Sequence, residues 1–149
     1  MEKLKKVIIS GKECLPIVEG GKGIGASYYL TAGNFAKHGA VGTISGVNPL
    51  YIDENKQEHN LLIPAKSRIE RNKQMIQNSI KAIISQVKEA VNISKGNGRI
   101  HLNVLWEMGG TETILENVLG KVQGLLNGVV CGAGMPYKLG DICSKYKKY

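Results

Sequence analysis

The sequence predicts an α/β fold built on a parallel sheet, and three features carry that prediction. Strand-sized apolar runs alternate with helical periodicities along the whole chain. The runs at Val41–Ser45 and Ile100–Leu105 are nearly continuously apolar, which suits strands covered on both faces. Several of the 19 glycines stand where a strand hands over to a helix. Such alternation gives parallel strands joined by right-handed crossovers. Two architectures satisfy it: an open doubly wound sheet, or part of a closed (β/α)8 TIM-type barrel.

The elements follow in order. Val7–Ser10, a Gly11-Lys12 turn and Cys14–Glu19 form a short N-terminal β-hairpin leading into a first main strand centred on Ile17. Ser27–His38 reads as a short helix ending at Gly39. Val41–Ser45 is the second main strand. Residues 46–66 form a long polar βα loop, a candidate lid. Ser67 and Glu70 make a capping box for a long helix whose stripe is Ile69, Ile76, Ile80, Ile83, Ile84, Val87 and Val91, ending near Lys95-Gly96. Ile100–Leu105 is the third strand, with Asn103 inside it. A second capping box, Thr113 to Glu116, opens a helix striped by Ile114, Leu115, Val118, Leu119 and Val122. Leu125–Cys131 is the fourth strand, and a last helix starts near Leu139.

Composition narrows the function. With 149 residues, 42% hydrophobic and 21% charged, residues 1–149 read as a single globular domain. No apolar stretch reaches the roughly 20 residues of a membrane span, and Val7-Ile8-Ile9 is too short for a signal segment. Cys14, Cys131 and Cys143 are widely spaced, without metal-type pairing, which points to reduced thiols and a cytoplasmic protein. The net charge of +8 comes from lysines scattered along the chain, apart from the tail Lys145 to Tyr149. No nucleic-acid signature accompanies it, so neither a nucleic-acid nor a membrane partner is expected.

The glycine-rich loop after the first strand has two readings. Gly21-Lys22-Gly23-Ile24-Gly25-Ala26 fits the dinucleotide pattern G-x-G-x-x-G/A. That site also needs an acid at the end of the second strand, and Thr43-Ile44-Ser45-Gly46 supplies none. The other reading is a barrel rim, where glycines let the backbone approach a flat cofactor. Gly132-Ala133-Gly134 repeats the device after the fourth strand, and Asn103 is a polar group near the same rim. Trp106, Glu107 and Met108 follow it.

These segments together resemble one family. Leu15-Pro16-Ile17-Val18-Glu19-Gly20-Gly21-Lys22-Gly23 is similar to the opening strand and loop of nitronate monooxygenases, formerly 2-nitropropane dioxygenases. Gly42 to Ser45 resembles their second strand, Ile100 to Gly110 their third, and Cys131 to Tyr137 their fourth-strand loop. FMN-dependent enoyl-ACP reductases share the architecture. The resemblance implies the first half of a (β/α)8 barrel, about four βα units. It implies FMN as cofactor, bound by Gly20, Gly21, Lys22, Gly23 and Asn103, with Gly132, Ala133 and Gly134 lining the site. Lys22 stands where the family often has methionine.

The family oxidises nitronates with FMN and oxygen, but its catalytic histidine and phosphate loops belong to the second half of the barrel. His38, His59 and His101 do not match that histidine, so no catalytic residue is assigned. The expectation is a truncated or split flavoprotein, inactive alone and holding FMN weakly. It would be completed by a second polypeptide or by self-association. A non-catalytic half-barrel and an enoyl-ACP reductase-like fragment are the alternatives.

Overall fold

The computed structural model describes residues 4–61 and 64–146, so Lys147, Lys148 and Tyr149 of the basic tail lie outside the described residues. The chain opens with an antiparallel hairpin, β1 (Val7–Ile9) and β2 (Lys12–Cys14). Ser10 and Gly11 turn it with φ of 47° and 73°, the two positive values that a two-residue hairpin needs. The expected strand at Ile17 is shorter than predicted. Pro16 has no N–H to donate and the Ile17 N–H folds back onto Leu15, so pairing survives only around Val18. There the Val41 N–H donates to Ile17 and the Glu19 N–H to Val41.

The main sheet has three strands, β3 (Val41–Ser45), β6 (Arg99–Leu105) and β7 (Gly128–Gly132), all parallel and in chain order. The Val18 bridge lies in parallel beside β3, so every segment neighbours its predecessor. Helices α1 (Tyr29–Lys37), α2 (Arg68–Ser94) and α3 (Thr111–Lys121) cross between them, and α4 (Leu139–Ser144) follows β7.

All three crossover helices pack on the same sheet face. Ile44, Ile100, Leu102 and Val104 meet Ala32 and Ala36 of α1, Ile83 and Val87 of α2, and Leu115 and Val118 of α3 in one core. Gly42 belongs to that face too, because a Cβ there would overlap the Ala32 backbone. The opposite face carries Thr43, Ser45, His101 and Asn103, which the register aligns in two cross-strand pairs. The hairpin and the glycine loop cover it: Ser10 Oγ lies 3.0 Å from His101 Nε2, and Gly21 rests on Asn103.

Three local expectations are corrected. Ile69 is 71% exposed, because residues 66–73 are exposed on every side and the buried stripe begins only at Ile76. The Thr113–Glu116 box is unused: α3 starts at Thr111 behind Gly110, whose φ of 89° a side chain would resist. Thr111 Oγ1 donates to the Leu105 and Met108 carbonyls instead. The fourth strand starts at Gly128 rather than Leu125, since Leu125 and Leu126 turn back onto Val122. At α2, Ser67 Oγ does accept the Glu70 N–H, while Glu70 reaches the Lys66 N–H rather than that of Ser67.

The long loop carries a small hairpin, β4 (Tyr51–Ile52) with β5 (Glu58–His59), which rests on α2. The Ile52 N–H donates to Ser85, and Lys56 pairs with Glu89. Leu62 and Ile63 of this loop lie outside the described residues. Among the described residues no helix is long and apolar enough to cross a membrane, and Cys14 and Cys131 are free thiols.

Candidate functional site

The sheet order bears on the two readings of the glycine loop. A dinucleotide fold reverses its strand order beside the first strand and opens a crevice there. Here the order runs on without reversal. Part of the helix N-terminus that would receive a pyrophosphate is also occupied. Gln86, 1% exposed on α2, takes the Tyr29 N–H on Oε1 at 2.7 Å and donates Nε2 to the Leu50 carbonyl at 2.9 Å. The Tyr28 N–H goes to Thr31 Oγ1. Amides already spent on protein partners are not available to a phosphate.

The rim reading gains a specific contact. A Cβ placed on Gly21 would overlap the Asn103 side chain, so only glycine permits the loop to lie on that amide. Asn103 is buried, and its Nδ2 donates a long bond of 3.5 Å to the Val130 carbonyl. Gly20, Gly21, Lys22 and Gly23 are exposed on the loop's outer side, and added Cβ atoms at Gly20 and Gly23 would meet nothing within 4 Å. Ile24 and Gly25 then take φ of 59° and 69° as the chain turns towards α1. A branched side chain in that region marks local strain.

Gly132, Ala133 and Gly134 sit one step further up the rim. Val130 pairs with Asn103 and Gly132 with Leu105, two residues on, a rise of about 7 Å. The Trp106 N–H donates to the Gly132 and Ala133 carbonyls at 2.9 and 3.1 Å. Gly134 lies against Glu107, and the Trp106 ring meets Tyr137 edge-on. Trp106 and Met108 pack onto the core, so the third- and fourth-strand loops brace each other. The structure thus joins Gly21 to Asn103 directly, and Gly132–Gly134 to Leu105–Glu107.

The histidines fall elsewhere. His38 bonds the Asn34 carbonyl at the end of α1, and His59 pairs with Asp53 at 2.8 Å on the exposed hairpin. His101 lies two residues before Asn103 on the same face, against Ser10. Burial first, and the Arg99 charge second, push its pKa down. Among the described residues no cluster of His, Cys, Asp or Glu has the makings of a metal site.

Three supporting residues escaped the sequence reading. Glu19 is buried, and its Oε2 accepts the Thr43 N–H at 3.0 Å. Ser27 and Gln86 hold backbone around the loop. Gln86 had a signal, falling three residues after Ile83 and four before Ala90 on the buried stripe of α2. Beside the loop a cleft of about 670 Å³ opens between Ile24, Asn48, Leu50, Met75 and Ser79. Compared with known proteins, the chain matches no family model and no curated relative.

Proposed function

We propose that this chain forms one wall of a (β/α)-barrel flavoprotein resembling nitronate monooxygenases, and that its glycine loop and Asn103 make one side of an FMN site. The observation that carries the reading is the Gly21–Asn103 contact: a Cβ-free loop laid on a buried amide near the C-terminal end of a parallel strand. Sequential parallel order with the crossover helices on one face supports a barrel wall over a doubly wound sheet. When bound, FMN supplies the electron transfer between nitronate and oxygen. The residues of this chain orient and shield its ring: Gly20, Gly21 and Gly23 offer backbone, and Asn103 offers an amide. Lys22 extends to solvent from the same loop.

Phosphate anchoring in such barrels comes from loops after strands seven and eight, which these four segments do not supply. The isolated chain therefore binds FMN weakly and does not turn over nitronates. A flavin titration of the purified chain, followed by fluorescence quenching, tests this reading against Asn103→Leu. The wild type should quench and the folded variant should lose most of that quenching. Equal quenching by both would make Asn103 a core residue only.

A second reading, self-association as a half-barrel, is favoured by the outer side of β7. Among the described residues nothing pairs with it, and Val130 beside it, on the Asn103 face, is 40% exposed.

A further inference from the structure

Ser27 stands between the glycine loop and α1, a place where serine commonly caps the helix. Its hydroxyl turns the other way. At 1% exposure, Oγ accepts the Lys22 N–H at 2.8 Å and donates to the Gly20 carbonyl at 3.2 Å. One side chain thereby closes both ends of the turn that carries Gly21. The Ser27 carbonyl accepts the Ser45 N–H at 2.8 Å, which ties the turn to the end of β3. Glu19, just before the turn, is tied to the same strand through the Thr43 N–H. Between these two anchors Gly21 is held on Asn103 of the next strand.

We propose that Ser27 is a positioning residue that holds the glycine loop as a fixed, Cβ-free shelf, and that the shelf takes the flat face of an isoalloxazine-type ring rather than a phosphate. The ligand class rests on the flavin reading above; the clasp does not. Phosphate cradles work by aiming several free backbone N–H groups at the anion. Within the loop the Lys22 N–H is spent on Ser27, and at its flanks the Glu19 N–H goes to Val41 and those of Tyr28 and Tyr29 to Thr31 and Gln86, which leaves the other loop amides to the phosphate arm of the test. Gly20 and Gly23 meanwhile face open space where side chains would stand. A planar ring can approach such backbone to van der Waals distance, and the turn must be rigid for that approach to be pre-organised.

The test uses the full chain, isotope-labelled, with amide hydrogen exchange and titrations of lumiflavin (the ring without a phosphate) and of inorganic phosphate. In Ser27→Ala the Lys22 amide should exchange about tenfold faster, the worth of one hydrogen bond. Ser27→Thr, which keeps the hydroxyl, should restore its protection. Lumiflavin should shift the Gly20–Gly23 and Asn103 resonances in the wild type and in Ser27→Thr, and bind Ser27→Ala about tenfold more weakly. Phosphate should move none of these amides.

Unchanged Lys22 exchange in Ser27→Ala overturns the clasp. Loop shifts with phosphate, or none with lumiflavin in a wild type whose Lys22 is protected, overturn the ring shelf and the flavin reading while the clasp stands. Lumiflavin binding that Ser27→Ala leaves intact overturns the positioning role alone. Should Ser27→Ala fail to fold, a wild-type Lys22 amide that exchanges as fast as unstructured chain refutes the clasp by itself.

Discussion

Gly21 lies against the side chain of Asn103 so closely that no other residue fits between the loop and β6. The contact spans two elements far apart in the chain and sets the height of the glycine loop above the sheet. It is also selective within the loop, since Cβ atoms at Gly20 and Gly23 would stand in open space.

That selectivity yields the first prediction. Gly21→Ala forces the loop up or Asn103 out of place, and overpacking of this kind costs about 1–3 kcal/mol. Gly20→Ala and Gly23→Ala, with no positive φ and no neighbour to strike, should stay within about 0.5 kcal/mol of the wild type. Urea unfolding of the three variants measures the pattern. Equal losses at all three positions would mean that the loop does not rest on Asn103.

Gln86 supports a second prediction. Its amide satisfies the Tyr29 N–H and the Leu50 carbonyl in a buried setting. Gln86→Leu keeps the volume and orphans both, and each stranded group costs about 1–3 kcal/mol. The variant should be destabilised by several times more than Gln74→Leu, a comparison on the same helix, and thermal unfolding compares them. A Gln86→Leu protein as stable as the wild type would show that water reaches the two groups and replaces the amide.

How far the sequence made this legible differs element by element. The crossover helices and parallel strands were readable because apolar spacing reports burial directly: Ile83 and Val87, or Ile100, Leu102 and Val104, fall in the core as their periods require. Ile69 shares the period of α2 and is still exposed, because periodicity cannot say how far a helix overhangs its sheet. The Thr113 box failed for a related reason. Gly110 and Thr111 offered an earlier start through bonds to Leu105 and Met108, which spacing does not reveal.

At the site, glycines and the lone asparagine were visible as residue types. Ser27 and Glu19 were not, because their roles depend on which backbone N–H groups the fold leaves unpaired, and that is a property of the assembled sheet.

His101 links stability to pH. Burial, then the neighbouring Arg99, lowers its pKa in the folded chain, where its Nε2 faces the Ser10 hydroxyl and Thr43 lies opposite on β3. The unfolded chain, with a histidine pKa of about 6.5, then binds the proton more readily than the folded one. The stabilisation is therefore complete above that value and is lost as pH falls below it towards the folded pKa. Unfolding free energies measured between about pH 7.5 and about pH 5 should fall as the pH falls in the wild type. The slope should flatten in His101→Gln; an unaltered slope would assign the titration to another group.

The last prediction concerns the sheet's outer edges. β7 has β6 on one side and nothing on the other among the described residues, and its strand is only partly buried where β3 is buried throughout. At the opposite side, Ile17 and Val18 are 39% and 54% exposed beside their single bridge to β3. Unpaired parallel edges carry free N–H and C=O groups that template further pairing. Each copy offers one edge of each kind, with its strands running in the same direction. A head-to-tail contact that keeps the parallel arrangement can therefore close on itself or continue. Size-exclusion chromatography with light scattering should show a dimer or larger species for the wild type. Val130→Lys, which sets a charge beside the unpaired β7 edge on the Asn103 face of the sheet, should shift it towards monomer with its circular dichroism unchanged. A wild type that remains monomeric as its concentration is raised would mean that the edges are covered within the chain itself, and self-association would then be withdrawn as a reading of this fold.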